Sequence, residues 1–369
     1  MNKKLLLRAL FFLTTFWVSL SASQDGSLVT NPNEVGFSSK HLAKIESHFQ
    51  NRVDRGEIAG IVTLVARKGK IAHLSAIGYQ DAHQDIPMKA NTVFRIYSMT
   101  KPIASTALMM LYRDNKFQLN DPLSKFIPEF KKLTKGNKQK PVKNQIKVID
   151  ILRHSAGLGF KGPEGYRESM EMNLEQFVKE SIKTPLLYEP GTQWRYSFST
   201  DICGYLIEVI SKMPLDVFLK KNIFDPLKMD DTFFELPAEK QGRFLPNHSW
   251  DPQNNKLVAL NPQLMVQMGV SEDSAMFNFD KVSLFSGGGG LISTAMDYLK
   301  FAEMMRNGGE LDGVRILSEK TVNYMAKNHL TASITASGTG ESPVSILGQR
   351  NMGAGFGLGF GVVTDTVKA

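Results

Sequence analysis

The sequence predicts an α+β fold: an antiparallel sheet built from both chain ends, flanked by helices, with a mainly helical middle region. Three observations predict it. Short apolar runs bounded by turn residues lie near the two ends, at 59–66, 71–78 and 356–363, and read as strands. Apolar residues spaced three and four apart fill the span between them and read as helices. No period of about 20–50 residues recurs, which excludes a repeat array.

The elements follow in order. Lys3, Lys4 and Arg8 precede an apolar run at 9–18 and then the small residues Ser19, Ser21, Ala22 and Ser23. Basic, then apolar, then small is the layout of a secretory signal peptide, here 1–23. The run falls well short of the ~20 residues that span a bilayer, so no stable membrane span is expected. The expected location is periplasmic or secreted. Residues 24–369 then form one folded domain with a helical subregion at about 100–280. Ser38 and Ser39 cap an amphipathic helix bearing Leu42, Ile45 and Phe49. Arg67-Lys68-Gly69-Lys70 turns between the first two strands as a hairpin. A helix opened by Ser98 carries Ala104, Ala107, Leu108 and Leu111. A lysine-rich loop marked by Gly136, Asn137 and Pro141 leads to a short helix at 148–153 and a turn at 155–159. Helices follow at 174–182, 201–212 and 218–223. The glycines at 287–290 precede a strand-to-helix junction at Leu291-Ile292-Ser293-Thr294, and 297–305 is amphipathic. A glycine-rich strand at 356–363 is the last pattern.

With 42% hydrophobic and 22% charged residues over 369 positions, the chain can bury a large core. Cys203 is the only cysteine, so no intramolecular disulfide forms and an exported chain must be held by burial. Its neighbours Ile202 and Gly204 mark it as core filler. The net charge of +8 is unevenly placed. Lys131, Lys132, Lys135, Lys138, Lys140, Lys143 and Lys147 crowd one segment, with no acid between Glu129 and Asp150. That segment reads as a solvated loop or as a contact surface for an anionic envelope polymer. It lacks the aromatic interleaving that single-stranded nucleic acid requires, so nucleic acid is not an expected partner.

The chemistry centres on Ser98-Met99-Thr100-Lys101. In a helix, positions three apart share a face. A serine hydroxyl is a weak nucleophile until a neighbouring base takes its proton, and a lysine one turn away can serve. S-x-x-K is a motif of acyl-enzyme chemistry. Tyr196, beside Arg195 at a loop-to-helix junction, is either a second proton-transfer group or a structural tyrosine. The chain has no G-x-S-x-G elbow, no H-E-x-x-H metal pair and no phosphate-binding glycine–lysine loop. His154 reads as part of a structural turn. No metal or other cofactor is expected.

Six blocks occur in order: Ser98-Met99-Thr100-Lys101-Pro102, Leu119-Asn120-Asp121-Pro122-Leu123, His154-Ser155-Ala156-Gly157-Leu158, Pro190-Gly191-Thr192-Gln193-Trp194-Arg195-Tyr196-Ser197, Pro226-Leu227-Lys228-Met229-Asp230-Asp231-Thr232 and Gly288-Gly289-Gly290-Leu291-Ile292-Ser293-Thr294. Together they resemble the serine β-lactamase-related superfamily over about 30–363. That superfamily contains class C β-lactamases, DD-peptidases and the β-lactamase-like carboxylesterases often called family VIII. The resemblance implies a nucleophile at Ser98, the lysine at Lys101 and the tyrosine at Tyr196. It also implies an acyl-enzyme route in which Tyr196 and Lys101 move the proton.

Two departures refine this. Class C β-lactamases carry an asparagine two residues after the tyrosine, where it contacts the substrate amide. Here that position is Phe198, read as a substrate-binding position that disfavours amides. The string Tyr196-Ser197-Phe198-Ser199-Thr200-Asp201 is more similar to the esterase branch. The resemblance also implies a third motif of K-T-G, H-x-G or W-x-G type after Val363, on a strand that walls the site and donates to the oxyanion. No such triplet follows in the sequence to Ala369, so the expectation is a chain missing its C-terminal strand and helix. The expected function is an exported carboxylesterase acting on a small-molecule ester or amide. The alternatives are a β-lactamase or D-Ala-D-Ala carboxypeptidase, and an inactive binder of cell-wall peptides.

Overall fold

The computed structural model describes residues 28–81, 86–159, 172–251, 254–259, 281–330, 334–336 and 353–364. The signal peptide assigned to 1–23 lies outside them. Ser38 accepts a hydrogen bond from the His41 N–H and starts helix α1 (Ser39–Asp54), as its sequence predicts. Strands β1 (Gly60–Arg67) and β2 (Lys70–Asp81) pair antiparallel, and Arg67 faces Lys70 across the turn. Lys68 and Gly69 both have positive φ, the backbone that a two-residue hairpin loop requires. β3 (Ile86–Pro87) extends this sheet on the β2 side, and α1 packs against β1 and β2.

β4 (Phe94–Arg95) leads into a short 3₁₀ turn at Tyr97–Met99 and then helix α2 (Thr100–Arg113). The helix proper therefore begins two residues after Ser98. Every residue of α2 from Ile103 to Leu111 is buried, so this helix is the axle of the core rather than an amphipathic surface helix. The lysine-rich segment holds a two-residue hairpin, β5 (Thr134–Lys135) with β6 (Lys140–Pro141). Next come α3 (Val148–Leu152), α4 (Leu174–Ser181), β7 (Gln193–Trp194), α5 (Ser199–Ser211) and α6 (Leu215–Leu219). α5 packs along α2, and α3, α4 and α6 pack on α5. Cys203 is buried there, as expected of core filler.

A hairpin that the sequence reading did not identify follows, β8 (His248–Asp251) with β9 (Lys256–Ala259). β10 (Ile292–Ser293) pairs with β4 and delivers the chain to α7 (Ala295–Arg306), whose N-terminus is capped by Thr294. A small hairpin, β11 (Glu310–Leu311) with β12 (Val314–Arg315), precedes α8 (Glu319–Met325). β13 (Thr335–Ala336) lies parallel to β7.

The glycine-rich pattern at 356–363 is a hairpin rather than one strand: β14 (Ala354–Phe356) pairs with β15 (Gly361–Val363). Gly359, with φ +103, turns the chain, and a Cβ there would lie 2.3 Å from the Ser105 side chain of α2. The Leu358 N–H donates to the Met325 carbonyl and the Gly359 N–H to the Leu152 carbonyl, both 2.9 Å. These bonds tie the hairpin to the helical body. The fold is α+β, as the sequence predicts; among the described residues β1–β2–β3 and β14–β15 are each antiparallel. Among the described residues, no strand from the C-terminal part pairs with β1 or β2. Among the same residues, no helix is long and apolar enough to cross a membrane.

Candidate active site

Ser98 sits on a reversal of the chain. The Ile96 N–H donates to the Leu291 carbonyl at 3.1 Å, extending the β4–β10 pairing, and the chain then turns at Tyr97 with φ +44. A left-handed conformation in a non-glycine residue persists only where its surroundings enforce it. They do so here: the Arg95 guanidinium lies 4.5 Å over the Tyr97 ring, and the Asn247 amide donates to the Tyr97 hydroxyl. The turn leaves Ser98 exposed at the mouth of α2 while Lys101, one turn on, is buried.

Lys101 Nζ donates to Ser98 Oγ at 3.3 Å and to the Gly288 carbonyl at 2.5 Å. It also lies 4.7 Å from the centre of the Tyr196 ring. The sequence spacing brings Ser98 to the Lys101 amine, and the fold adds the Tyr196 ring. An amine that spends one N–H on a backbone carbonyl still has a lone pair to offer the serine when it is neutral.

Tyr196 is placed by two strings of backbone hydrogen bonds. The Gly191 and Arg195 N–H groups donate to the Ser155 and His154 carbonyls at 2.8 and 2.9 Å, so the 187–195 segment runs along the 154–157 turn. His154, with φ +57, is part of that turn, as the sequence indicates. It does more: its ring lies 4.7 Å from the Tyr196 ring, with Trp194 and Phe356 closing the cluster at 6.2 and 5.3 Å. Burial, with the nearby Lys101 charge, pushes the His154 imidazole down to about 3, so it is neutral at physiological pH. Its Nδ1 pairs with Ser197 Oγ at 3.3 Å, and Ser197 Oγ with Ser199 Oγ at 2.7 Å.

The glycine loop at 286–290 closes the other side. Asp201, in the first turn of α5, accepts from Ser286 Oγ at 2.5 Å and from the Gly288 N–H at 3.1 Å. The Leu291 N–H donates to Thr100 Oγ1 at 3.2 Å. In the sequence Gly288 opens a motif block and Asp201 ends the string that follows Tyr196, and neither carries an expected role; a buried acid on an otherwise apolar helix face is the signal that marks Asp201. Phe198 lies elsewhere. It is only 6% exposed and meets Phe177 edge-on at 5.9 Å in the helical core. Among the described residues, no group of three or more His, Cys, Asp or Glu side chains could hold a metal ion.

Comparison with known proteins fits this geometry. The Beta-lactamase family model matches residues 45–367, a span that contains Ser98, Lys101 and Tyr196. The protein Rv1367c of Mycobacterium tuberculosis is 31% identical over 331 residues, covering 86% of this chain and 78% of that protein. A Salmonella typhimurium protein, provisionally named D-alanyl-D-alanine carboxypeptidase, is 32% identical over 334 residues, covering 84% of this chain and 74% of its own. Among solved structures, EstCE1, a hydrolase with promiscuous acyltransferase activity, superposes with a TM-score of 0.67 at 26% identity. That match covers 89% of this chain and 84% of the other.

Proposed function

Since this chain belongs to the β-lactamase family of hydrolases, we propose that it is an exported serine hydrolase forming an acyl-enzyme on Ser98, with carboxyl esters as substrates. The observation that carries this reading is the Lys101 amine, 3.3 Å from Ser98 Oγ and anchored by the Gly288 carbonyl beneath the Tyr196 ring. In this mechanism Ser98 Oγ attacks the ester carbonyl as its proton passes to the Lys101–Tyr196 pair. The tetrahedral adduct collapses, the alcohol leaves with that proton, and Ser98 holds the acyl group. Water then attacks the acyl carbonyl by the same proton route in reverse, freeing the carboxylic acid and restoring the hydroxyl.

The preference for esters rests on what this position lacks: Phe198 turns its ring into the core against Phe177 and offers the site no polar group for a substrate amide. A site without that polar group gains nothing from the amide N–H and carbonyl. The Salmonella relative's name favours a second reading, removal of a terminal D-alanine from a peptide. The leader layout at 1–23 supports export, and the exposed lysines around β5 and β6 support contact with an anionic envelope polymer. Steady-state kcat/KM on a short-chain p-nitrophenyl ester, a chromogenic cephalosporin and a D-Ala-D-Ala peptide tests the ranking. The ester should lead; a cephalosporin or peptide turned over faster than any small ester would reverse it.

A further inference from the structure

We propose that Asp201 is a positioning residue: its buried carboxylate grips the Gly288 peptide so that the carbonyl on the same residue holds Lys101 against Ser98. The proposal rests on the serine hydrolase reading above. One residue faces both ways here. The Gly288 N–H donates to Asp201 at 3.1 Å while the Gly288 carbonyl accepts from Lys101 Nζ at 2.5 Å. A shift of the carboxylate therefore moves the acceptor that orients the lysine. Ser286 Oγ, at 2.5 Å from the same carboxylate oxygen, fixes the other end of the loop.

The close approach explains the glycines. A Cβ on Gly288 would lie 2.5 Å from Asp201 Oδ2, and one on Gly287 would lie 2.6 Å from the Thr200 carbonyl. Only bare backbone lets this loop lie on the first turn of α5. α5 packs along α2, so the loop, Asp201 and Lys101 form one unit bridging two core helices.

A buried carboxylate is costly unless its lone pairs are used and a counter-charge is near. Here burial pushes the Asp201 carboxyl up, while the Ser286 hydroxyl, the Lys101 charge and the Gly288 N–H pull it down. The groups facing it are these and Cys203, whose thiol is pushed up by burial and by the Asp201 charge and so stays neutral. Lys101 in turn faces Ser98, Gly288, Tyr196 and the neutral His154.

The test compares wild type with Asp201→Asn, Asp201→Ala and Asp201→Glu on a p-nitrophenyl ester, with fluorophosphonate labelling of Ser98 in parallel. Asp201→Asn keeps an acceptor of the same shape and removes the charge. Its kcat should fall less than that of Asp201→Ala, with KM within about twofold. Asp201→Ala removes the grip on Gly288, and kcat and the labelling rate should fall about 10²-fold. Asp201→Glu should restore part of that loss. Should Asp201→Ala not fold, Ser286→Ala is the milder probe and should lower kcat about tenfold with KM unchanged. Variants that label and turn over like wild type overturn the positioning role and leave the serine hydrolase reading intact. A wild-type Ser98 that never labels overturns both.

Discussion

Replacing His154 by Asn tests whether the aromatic cluster behind Tyr196 depends on a neutral imidazole. Asn tolerates the left-handed backbone at this position, where φ is +57, and carries no titrating group. Burial first, and the Lys101 charge second, hold the folded-state pKa of His154 at about 3 against 6.5 in an exposed histidine. The unfolded chain therefore takes up a proton below pH 6.5 that the folded chain refuses until pH falls to about 3. The stability present above pH 6.5 is lost as pH falls through that window. Between pH 7 and pH 5 the loss is about 2 kcal/mol, and this holds for any folded value below about 4. By pH 3 it reaches about 4 kcal/mol. Chemical denaturation of both proteins at pH 7, 6 and 5 isolates the effect. Carboxylates held low by ion pairs, such as Asp231 with Arg243 and Lys240, weaken on both curves alike. The variant should be less stable at pH 7, having lost the ring packed on Tyr196, and the gap should narrow by about 2 kcal/mol at pH 5. Parallel curves would refute a buried neutral His154.

Three further outcomes follow from particular contacts. Phe198→Asn buries an amide against Phe177 and should cost about 3 kcal/mol in denaturation without raising cephalosporin turnover; undiminished stability with new β-lactam hydrolysis would count against the placement of this side chain. Gly359→Ala forces a Cβ to 2.3 Å from Ser105 at φ +103 and should cost about 2 kcal/mol or more, read as a lowered denaturation midpoint. Equal midpoints would mean that the β14–β15 hairpin is not seated on α2. Replacing Lys138, Lys140 and Lys143 together by Glu should abolish salt-sensitive retention on an immobilised anionic polymer while leaving ester kcat unchanged, because these side chains are exposed. Unchanged retention would leave the segment as a solvated loop.

The sequence made the Ser98–Lys101 pair legible because its geometry is local. Ser98 and Lys101 lie three residues apart at a helix mouth, and helical geometry alone predicts that they meet. Tyr196 was legible only through the ordered motif blocks, since 95 residues separate it from Lys101. The Asp201–Gly288–Lys101 chain spans sequence separations of 87 and 187, which no periodicity encodes. His154 was legible as a turn residue, but its stacking on Tyr196 depends on two segments zipped together by backbone hydrogen bonds. Among the elements, the long helices and the β1–β2 hairpin carry clear patterns. The hairpin at β14–β15 reads as one strand because Gly357 and Gly359 interrupt an apolar run whose reversal is set by contacts with Leu152 and Met325. β8 and β9 are four residues each and mostly half-buried, too short for alternation to stand out.

The claim on which the rest depends is that Ser98 carries the acyl group. Incubation with an activated ester, quenching in acid and peptide mass mapping measures this directly. The account predicts a single adduct on Ser98, lost in Lys101→Ala along with ester turnover. An adduct on any other serine, with Ser98 unmodified, would contradict it.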